Sequence, residues 1–171
     1  AAIKLFHAAG VPEGALQLLH GPGDTVGAAL VAAPGVAGVV FTGSTQVAKI
    51  INRALAAKDG AIVPLIAETG GQNAMIVDSS ALSEQVVRDV VASAFNSAGQ
   101  RCSALRVLFL QADIADKVSM MLCGAMQTLR IGNPTDIRTD VGPVIDDDAR
   151  YVLERHSRKL DSFATPIYTC K

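Results

Sequence analysis

The sequence predicts an α/β fold, a doubly wound set of parallel strands with helices between them. Three observations carry this. Short apolar runs of strand length recur at Val36–Phe41, Ile62–Ala67, Asn73–Val77 and Leu105–Leu110, each bounded by Gly, Pro or polar turn residues. The stretches between most of them are long enough for the helical crossover that parallel neighbours require. Half of the 171 residues are hydrophobic and 18% are charged, so a sizeable core can be buried.

In chain order, residues 3–9 read as the end of a helix stopped by Gly10, and Val11-Pro12-Glu13-Gly14 as a turn. Ala15–Leu19 suits a buried strand, broken by Gly21-Pro22-Gly23. Asp24 or Thr25 then caps a helix through Ala33, which Pro34-Gly35 stops. After the strand Val36–Phe41 comes Thr42-Gly43-Ser44-Thr45, and a helix from Ser44 to Lys58. Ile62–Ala67 is the next strand. Glu68-Thr69-Gly70-Gly71 interrupts the alternation and marks a domain boundary, with 1–68 in one domain and 69–171 in the other. The strand Asn73–Val77 leads, through a cap in Ser79–Leu82 supported by Ser83 and Glu84, to a helix reaching about Ala98. The strand Leu105–Leu110, a helix over Asp113–Leu129, a Gly/Pro loop over Ile131–Pro143 and a charged helix over Asp146–Leu160 follow. Ile167–Thr169 reads as a last short strand. No internal repeat is present.

Composition excludes several classes. Fifteen Lys and Arg against sixteen Asp and Glu leave a formal net charge of −1, with no basic cluster to hold nucleic acid. No apolar run reaches the length of a membrane span. The N-terminus has neither an initiator Met nor a signal-peptide pattern and reads as mid-helix, so a piece of a longer polypeptide is expected. Cys102, Cys123 and Cys170 are odd in number, widely spaced and without a C-x-x-C pair. That spells neither a disulfide framework nor a zinc site, and fits a reducing, cytoplasmic setting. Cys123, among Met120, Met121 and Met126, reads as core, and Cys170 as incidental. His7, His20 and His156 are isolated, so no metal is expected.

Three stretches can carry chemistry. The strand Val36–Phe41 leads through Gly43 into a helix capped by Ser44. A helix N-terminus offers free N–H groups and the positive end of the macrodipole, which suits a phosphate; an ordinary N-cap explains the same residues. The turn Gly21-x-Gly23-x-x-x-Gly27 misses the dinucleotide fingerprint by one residue. Glu68 closes an apolar strand. Buried there without a partner, a carboxyl would have a raised pKa and suit a general base; a solvated strand-end glutamate is the plainer alternative. Cys102 follows Ala98-Gly99 at the end of a helical run, with Arg101 beside it. A thiolate needs a positive field and an open approach, whereas a lone cysteine is more often a small core hydrophobe.

FTGST at Phe41–Thr45, ETGGQNA at Glu68–Ala74, AGQRC at Ala98–Cys102, IGNP at Ile131–Pro134 and VGPVI at Val141–Ile145 resemble, in order and spacing, the aldehyde dehydrogenase superfamily. The resemblance runs from Ile3 to about Leu160. ETGGQNAMIVDSSAL and SAFNSAGQRCSALRV are most similar to the glutamate-semialdehyde (pyrroline-5-carboxylate) dehydrogenase branch, in particular to the dehydrogenase module of bacterial bifunctional proline-catabolic enzymes.

The resemblance implies an aldehyde dehydrogenase-like α/β fold: 1–68 as the C-terminal part of a Rossmann-like NAD-binding domain, and 69–171 as the N-terminal part of the catalytic cysteine domain. It implies NAD as cofactor, Cys102 as nucleophile with its own N–H as an oxyanion donor, and Glu68 as the base that activates water. Gly43 and Ser44 would contact the pyrophosphate and Ser103 would lie by the substrate. The implied chemistry is attack on the aldehyde, hydride loss to the nicotinamide and hydrolysis of a thioester. A homo-oligomeric parent with a fused proline dehydrogenase domain is implied as well. The isolated piece is expected to be inactive, because upstream and downstream family motifs are not in it. Ala48 stands where many members have glycine, with no loss expected. Two other classes stay open: a cysteine hydrolase, for which no histidine lies near Cys102 in sequence, and a non-catalytic structural or interaction fragment.

Overall fold

The computed structural model describes residues 1–170. The chain divides into two compact units, Ala1–Thr69 and Gly70–Lys171. Each is built on a two-stranded parallel sheet with a helical crossover.

In the first unit, α1 (Ala2–Ala8) ends before Gly10, whose φ of 98° only glycine takes without strain. A π-helical turn over Gly23–Gly27 runs into α2 (Ala28–Ala32), which stops at Ala33 before Pro34. β1 (Val39–Gly43) leads to α3 (Thr45–Ala56), and α3 to β2 (Leu65–Thr69). Ala48 and Leu55 are buried on one face of α3 with Ile51 half-buried between them, the i, i+3, i+7 stripe of a helix packed on a sheet. Lys58 tethers the end of this crossover, its Nζ donating to the carbonyls of Ala33 at 2.6 Å and Val31 at 3.4 Å.

The second unit holds the larger core. β3 (Asn73–Val77) and β4 (Leu105–Leu110) pair in parallel around α4 (Ser83–Phe95), and α5 (Ala112–Thr128) follows β4. Val77, Val86, Val87, Val90, Leu105 and Val118 form the buried cluster, with Val118 fully enclosed. Burying each such side chain stabilises by about 1.5–3 kcal/mol. α6 (Asp147–Leu160) is capped by Asp146, whose carboxylate accepts the Ala149 N–H at 2.8 Å. It carries no buried residue.

The parallel α/β architecture expected from the sequence is present. Several local expectations are not. Ala15–Leu19 and Ile167–Thr169 form no strand, because neither finds a neighbouring strand to ladder with among the described residues; Leu18 and Leu19 are each 64% exposed. Asp24 and Thr25 cap nothing. The turn starts at Pro22, and the Thr25 hydroxyl donates back to the Pro22 carbonyl at 3.3 Å. α4 begins at Ser83 without a side-chain cap and ends at Phe95, not at Ala98. The loop after α5 is not wholly irregular, since Ile131 and Val141 form a parallel bridge. Among the described residues, no helix is long and apolar enough to cross a membrane.

Candidate active site

The first unit places three of the candidate residues at the carboxyl ends of adjacent strands. The register pairs Thr42 with Glu68 and Gly43 with Thr69. Gly43, Ser44 and Glu68 therefore share one sheet edge, the side on which open parallel α/β sheets take their ligands. Ser44 is the N-cap of α3 and its Oγ accepts the Val47 N–H at 3.2 Å. The N–H groups of Thr45 and Gln46 have no acceptor among the described residues, and Gly43, Ser44 and Thr45 are exposed. These groups fit a phosphate: two free N–H donors, a hydroxyl with its proton to spare, and the positive end of a twelve-residue helix. Gly43 also has an internal reason, because a Cβ there would run into the ring of Phe41. Glu68 is exposed, against the burial considered for it, and its carboxylate makes no hydrogen bond among the described residues.

The second unit builds the cysteine turn. α4 ends at Phe95, and the chain then passes through Ser97, Ala98 and Gly99 with φ of 58°, 52° and 67°. Three successive left-handed residues, two of them not glycine, cost about 1–2 kcal/mol each at the non-glycine positions. At Gly99 a Cβ would lie 2.8 Å from the Ala94 carbonyl oxygen, so the motif's glycine is needed for both space and backbone. This turn reverses the chain, and Cys102 emerges from it exposed, with Ser103 beside it.

Side chains hold the turn. Arg106 Nη2 donates to the Gly99 carbonyl at 2.7 Å, and Gln100 Nε2 to the Ser97 carbonyl at 3.1 Å. The Asn73 amide donates to the carbonyls of Cys102 at 2.7 Å and Ala104 at 2.9 Å. The Arg101 carbonyl accepts the Ala104 N–H at 3.1 Å. In a planar trans peptide the next N–H points the opposite way. The Cys102 N–H is thus turned away from these partners and has no acceptor among the described residues. An exposed sulfur beside an oriented, unused N–H suits attack on a carbonyl whose oxygen gains charge.

Asn73, Gln100 and Arg106 were not singled out from the sequence, although all three lie inside the quoted stretches. Arg106 carried no signal, because its reach depends on a bulge: Asn73 pairs with Leu105 but Ala74 with Val107, so Arg106 is the extra residue of β4. A cavity of about 1070 Å³ lies beside the turn, walled by Gly99, Gln100 and Arg106 and by Val152 and His156 of α6; Cys102 does not line it. Cys123 and Cys170 are half-buried and away from the turn, with Cys170 Sγ 3.7 Å from the Met126 carbonyl. Among the described residues, no cluster of three His, Cys, Asp or Glu could hold a metal.

Comparisons with known proteins bear on the family and the fold. The model of the Aldehyde dehydrogenase family matches residues 1–164. The chain is 57% identical over 169 residues to Bifunctional protein PutA of Escherichia coli (strain K12), covering 97% of the chain and 13% of that protein. It is 37% identical over 150 residues to 1-pyrroline-5-carboxylate dehydrogenase of Geobacillus kaustophilus, covering 86% of the chain and 29% of that enzyme. The crystal structure of a mutant (D779W) of Bradyrhizobium japonicum proline utilization A superposes with a TM-score of 0.94 at 58% identity, over 99% of the chain and 17% of that structure. The chain thus spans about an eighth of the PutA relative's length. With the motifs in order, the parallel α/β units and the cysteine turn in place, the chain belongs to the aldehyde dehydrogenase family.

Proposed function

We propose that this chain is the part of an aldehyde dehydrogenase that carries the nucleophile, the general base and the pyrophosphate contacts, and that the whole enzyme oxidises L-glutamate γ-semialdehyde to L-glutamate in proline catabolism. The observation that carries the reading is the Cys102 turn: an exposed thiol beside an unused N–H, held by side chains on both sides. The substrate rests on likeness to relatives named for proline utilization and for pyrroline-5-carboxylate.

Residues 1–68 serve as part of the dinucleotide-binding domain and 69–171 as part of the catalytic domain. Gly43 and Ser44, with the free N–H groups at the start of α3, hold the pyrophosphate of NAD. The bound nicotinamide is the hydride acceptor. Cys102 Sγ adds to the aldehyde carbon, and the Cys102 N–H stabilises the oxygen of the thiohemiacetal. After oxidation the acyl group stays on Cys102 as a thioester, which splits one difficult reaction into two easier ones. Glu68 takes a proton from water, which releases the acid. Ser103 lies where it can touch the substrate. A homo-oligomeric parent with a proline dehydrogenase domain on the same polypeptide completes the reading. A non-catalytic role for this segment is the alternative.

The test is Cys102→Ala in the full-length polypeptide that carries these residues. Aldehyde oxidation is expected to vanish while NAD binding persists, and Cys123→Ala and Cys170→Ala should keep their turnover. Wild-type turnover in Cys102→Ala would sink the proposal. Running NAD against NADP and glutamate semialdehyde against a simple alkyl aldehyde checks cofactor and substrate.

A further inference from the structure

We propose that Asn73 is a positioning residue for the nucleophile: its amide holds the backbone on both sides of Ser103 and so fixes where Cys102 points. This rests on the reading of Cys102 as nucleophile.

Both protons of the Asn73 amide are used, one on the Cys102 carbonyl at 2.7 Å and the other on the Ala104 carbonyl at 2.9 Å. The amide therefore sets the Cys102–Ser103 and Ala104–Leu105 peptide planes, which bracket the Ser103–Ala104 peptide. Its anchor is firm. Asn73 opens β3 and pairs with Leu105. Leu105 belongs to the buried cluster, and its N–H is taken by Ser93 Oγ of α4 at 3.1 Å. Cys102 is exposed and its side chain contacts no hydrogen-bond partner among the described residues. Its position is therefore set through the backbone.

The bulge explains why the hold falls here. The shift of register between Asn73 and Ala74 makes Arg106 the extra residue of β4, and its guanidinium reaches back to the Gly99 carbonyl. Asn73 and Arg106 thus grip the chain after and before the cysteine from one irregularity. The segment they hold, 99–104, follows directly on Ser97 and Ala98, which take left-handed conformations that neither residue prefers. A strained segment keeps one conformation only where its surroundings over-determine it. Without the amide, the Cys102 peptide is free to rotate, and displacement of a reacting atom by about 1 Å costs on the order of 100-fold in rate.

The experiment uses the full-length polypeptide with Asn73→Leu, which keeps the shape and removes both donors, and Asn73→Ser, which keeps one hydroxyl donor. Rapid mixing with aldehyde and NAD reads the amplitude and the rate constant of the NADH burst. The expected result is a full-amplitude burst slowed about 10- to 100-fold in Asn73→Leu and by less in Asn73→Ser, with NAD affinity unchanged. A lowered amplitude at the wild-type rate constant would mean that the side chain only stabilises the fold, and overturns the proposal; so does a wild-type burst. Should Asn73→Leu not fold, Asn73→Ser decides by the same two numbers. A second readout does not need turnover: the ¹³Cβ resonance of labelled Cys102 is expected to be one line in the parent and broadened or split in the variant. If the parent oxidises no aldehyde, the proposed function fails, and this resonance alone decides the positioning role: an unchanged single line overturns it.

Discussion

Gln100 Oε1 accepts the Ile145 N–H at 2.7 Å, and the same amide donates to the Pro143 carbonyl at 3.4 Å. One side chain thereby joins the residue two before the cysteine to the VGPVI stretch. The spacing of those two motifs had no evident reason in the sequence. It has one here, because the long α5 and the loop after it must return the chain to this amide.

Glu68→Gln is expected to slow thioester hydrolysis more than oxidation. Glutamine keeps the volume but cannot take a proton from water. In the full-length enzyme, rapid mixing should show an NADH burst followed by a slow steady state. No burst with an unchanged steady rate would reduce Glu68 to an exposed strand-end residue.

Gly99→Ala is expected to destabilise the second unit by about 1–3 kcal/mol. The new Cβ meets the Ala94 carbonyl oxygen at 2.8 Å, at a φ of 67° that alanine resists. Thermal unfolding measures it. A melting temperature equal to the parent's would show that the turn can relax without cost.

Acid should weaken the surface loops through two carboxylates. Hydrogen bonds from the Arg138 side chain, then from its N–H, hold Asp136 below its ordinary value of 3.8; the Ser80 hydroxyl, then its N–H, does the same for Asp78. A folded-state pKa below the unfolded one means that the unfolded chain binds protons first as pH falls. The stabilisation is complete above the ordinary value and is lost as pH drops through the lowered one. Melting curves from about pH 5 to about pH 2 should therefore fall less steeply in Asp136→Asn with Asp78→Asn than in the parent. Parallel curves would remove these two groups from the acid limb.

The 171 residues alone are expected to turn over glutamate semialdehyde at least tenfold below a typical enzyme's ~10 s⁻¹. The chain covers 13% of its Escherichia coli relative and supplies one proposed oxyanion donor, the Cys102 N–H; an oxyanion hole short of a single donor costs ~10²–10³ in rate. NADH formation at micromolar protein measures it. Rates near the typical value would show that Ser44, Glu68 and Cys102 suffice.

The strands Asn73–Val77 and Leu105–Leu110 were legible to the residue, since an apolar run bounded by turn residues pairs where a helical crossover returns it. Ala15–Leu19 is an apolar run of the same length class and forms no strand, because a strand is a property of a pair and composition describes only one member. Ser44 announced itself as a cap. Asp24 and Thr25 looked equally good and failed, since Pro22 already starts the turn. The candidate residues Cys102 and Glu68 were visible through their motifs. The hold on Cys102 was not: left-handed Ser97 and Ala98 carry no compositional mark, and the reach of Asn73 and Arg106 depends on one slipped register.

The unequal cores of the two units bear on how the chain comes apart. Ala1–Thr69 buries only Ala48 and Leu55 among its apolar side chains, whereas Gly70–Lys171 encloses Val77, Val86, Val87, Val90, Leu105 and Val118. Local opening follows local burial. Amide hydrogens of α1 and α2 should exchange with solvent early, and those of α4 and β4 last. The cysteine turn hangs from the slow-exchanging side and the proposed pyrophosphate contacts at Gly43 and Ser44 from the fast one, so one melting point would not describe both halves of the proposed chemistry.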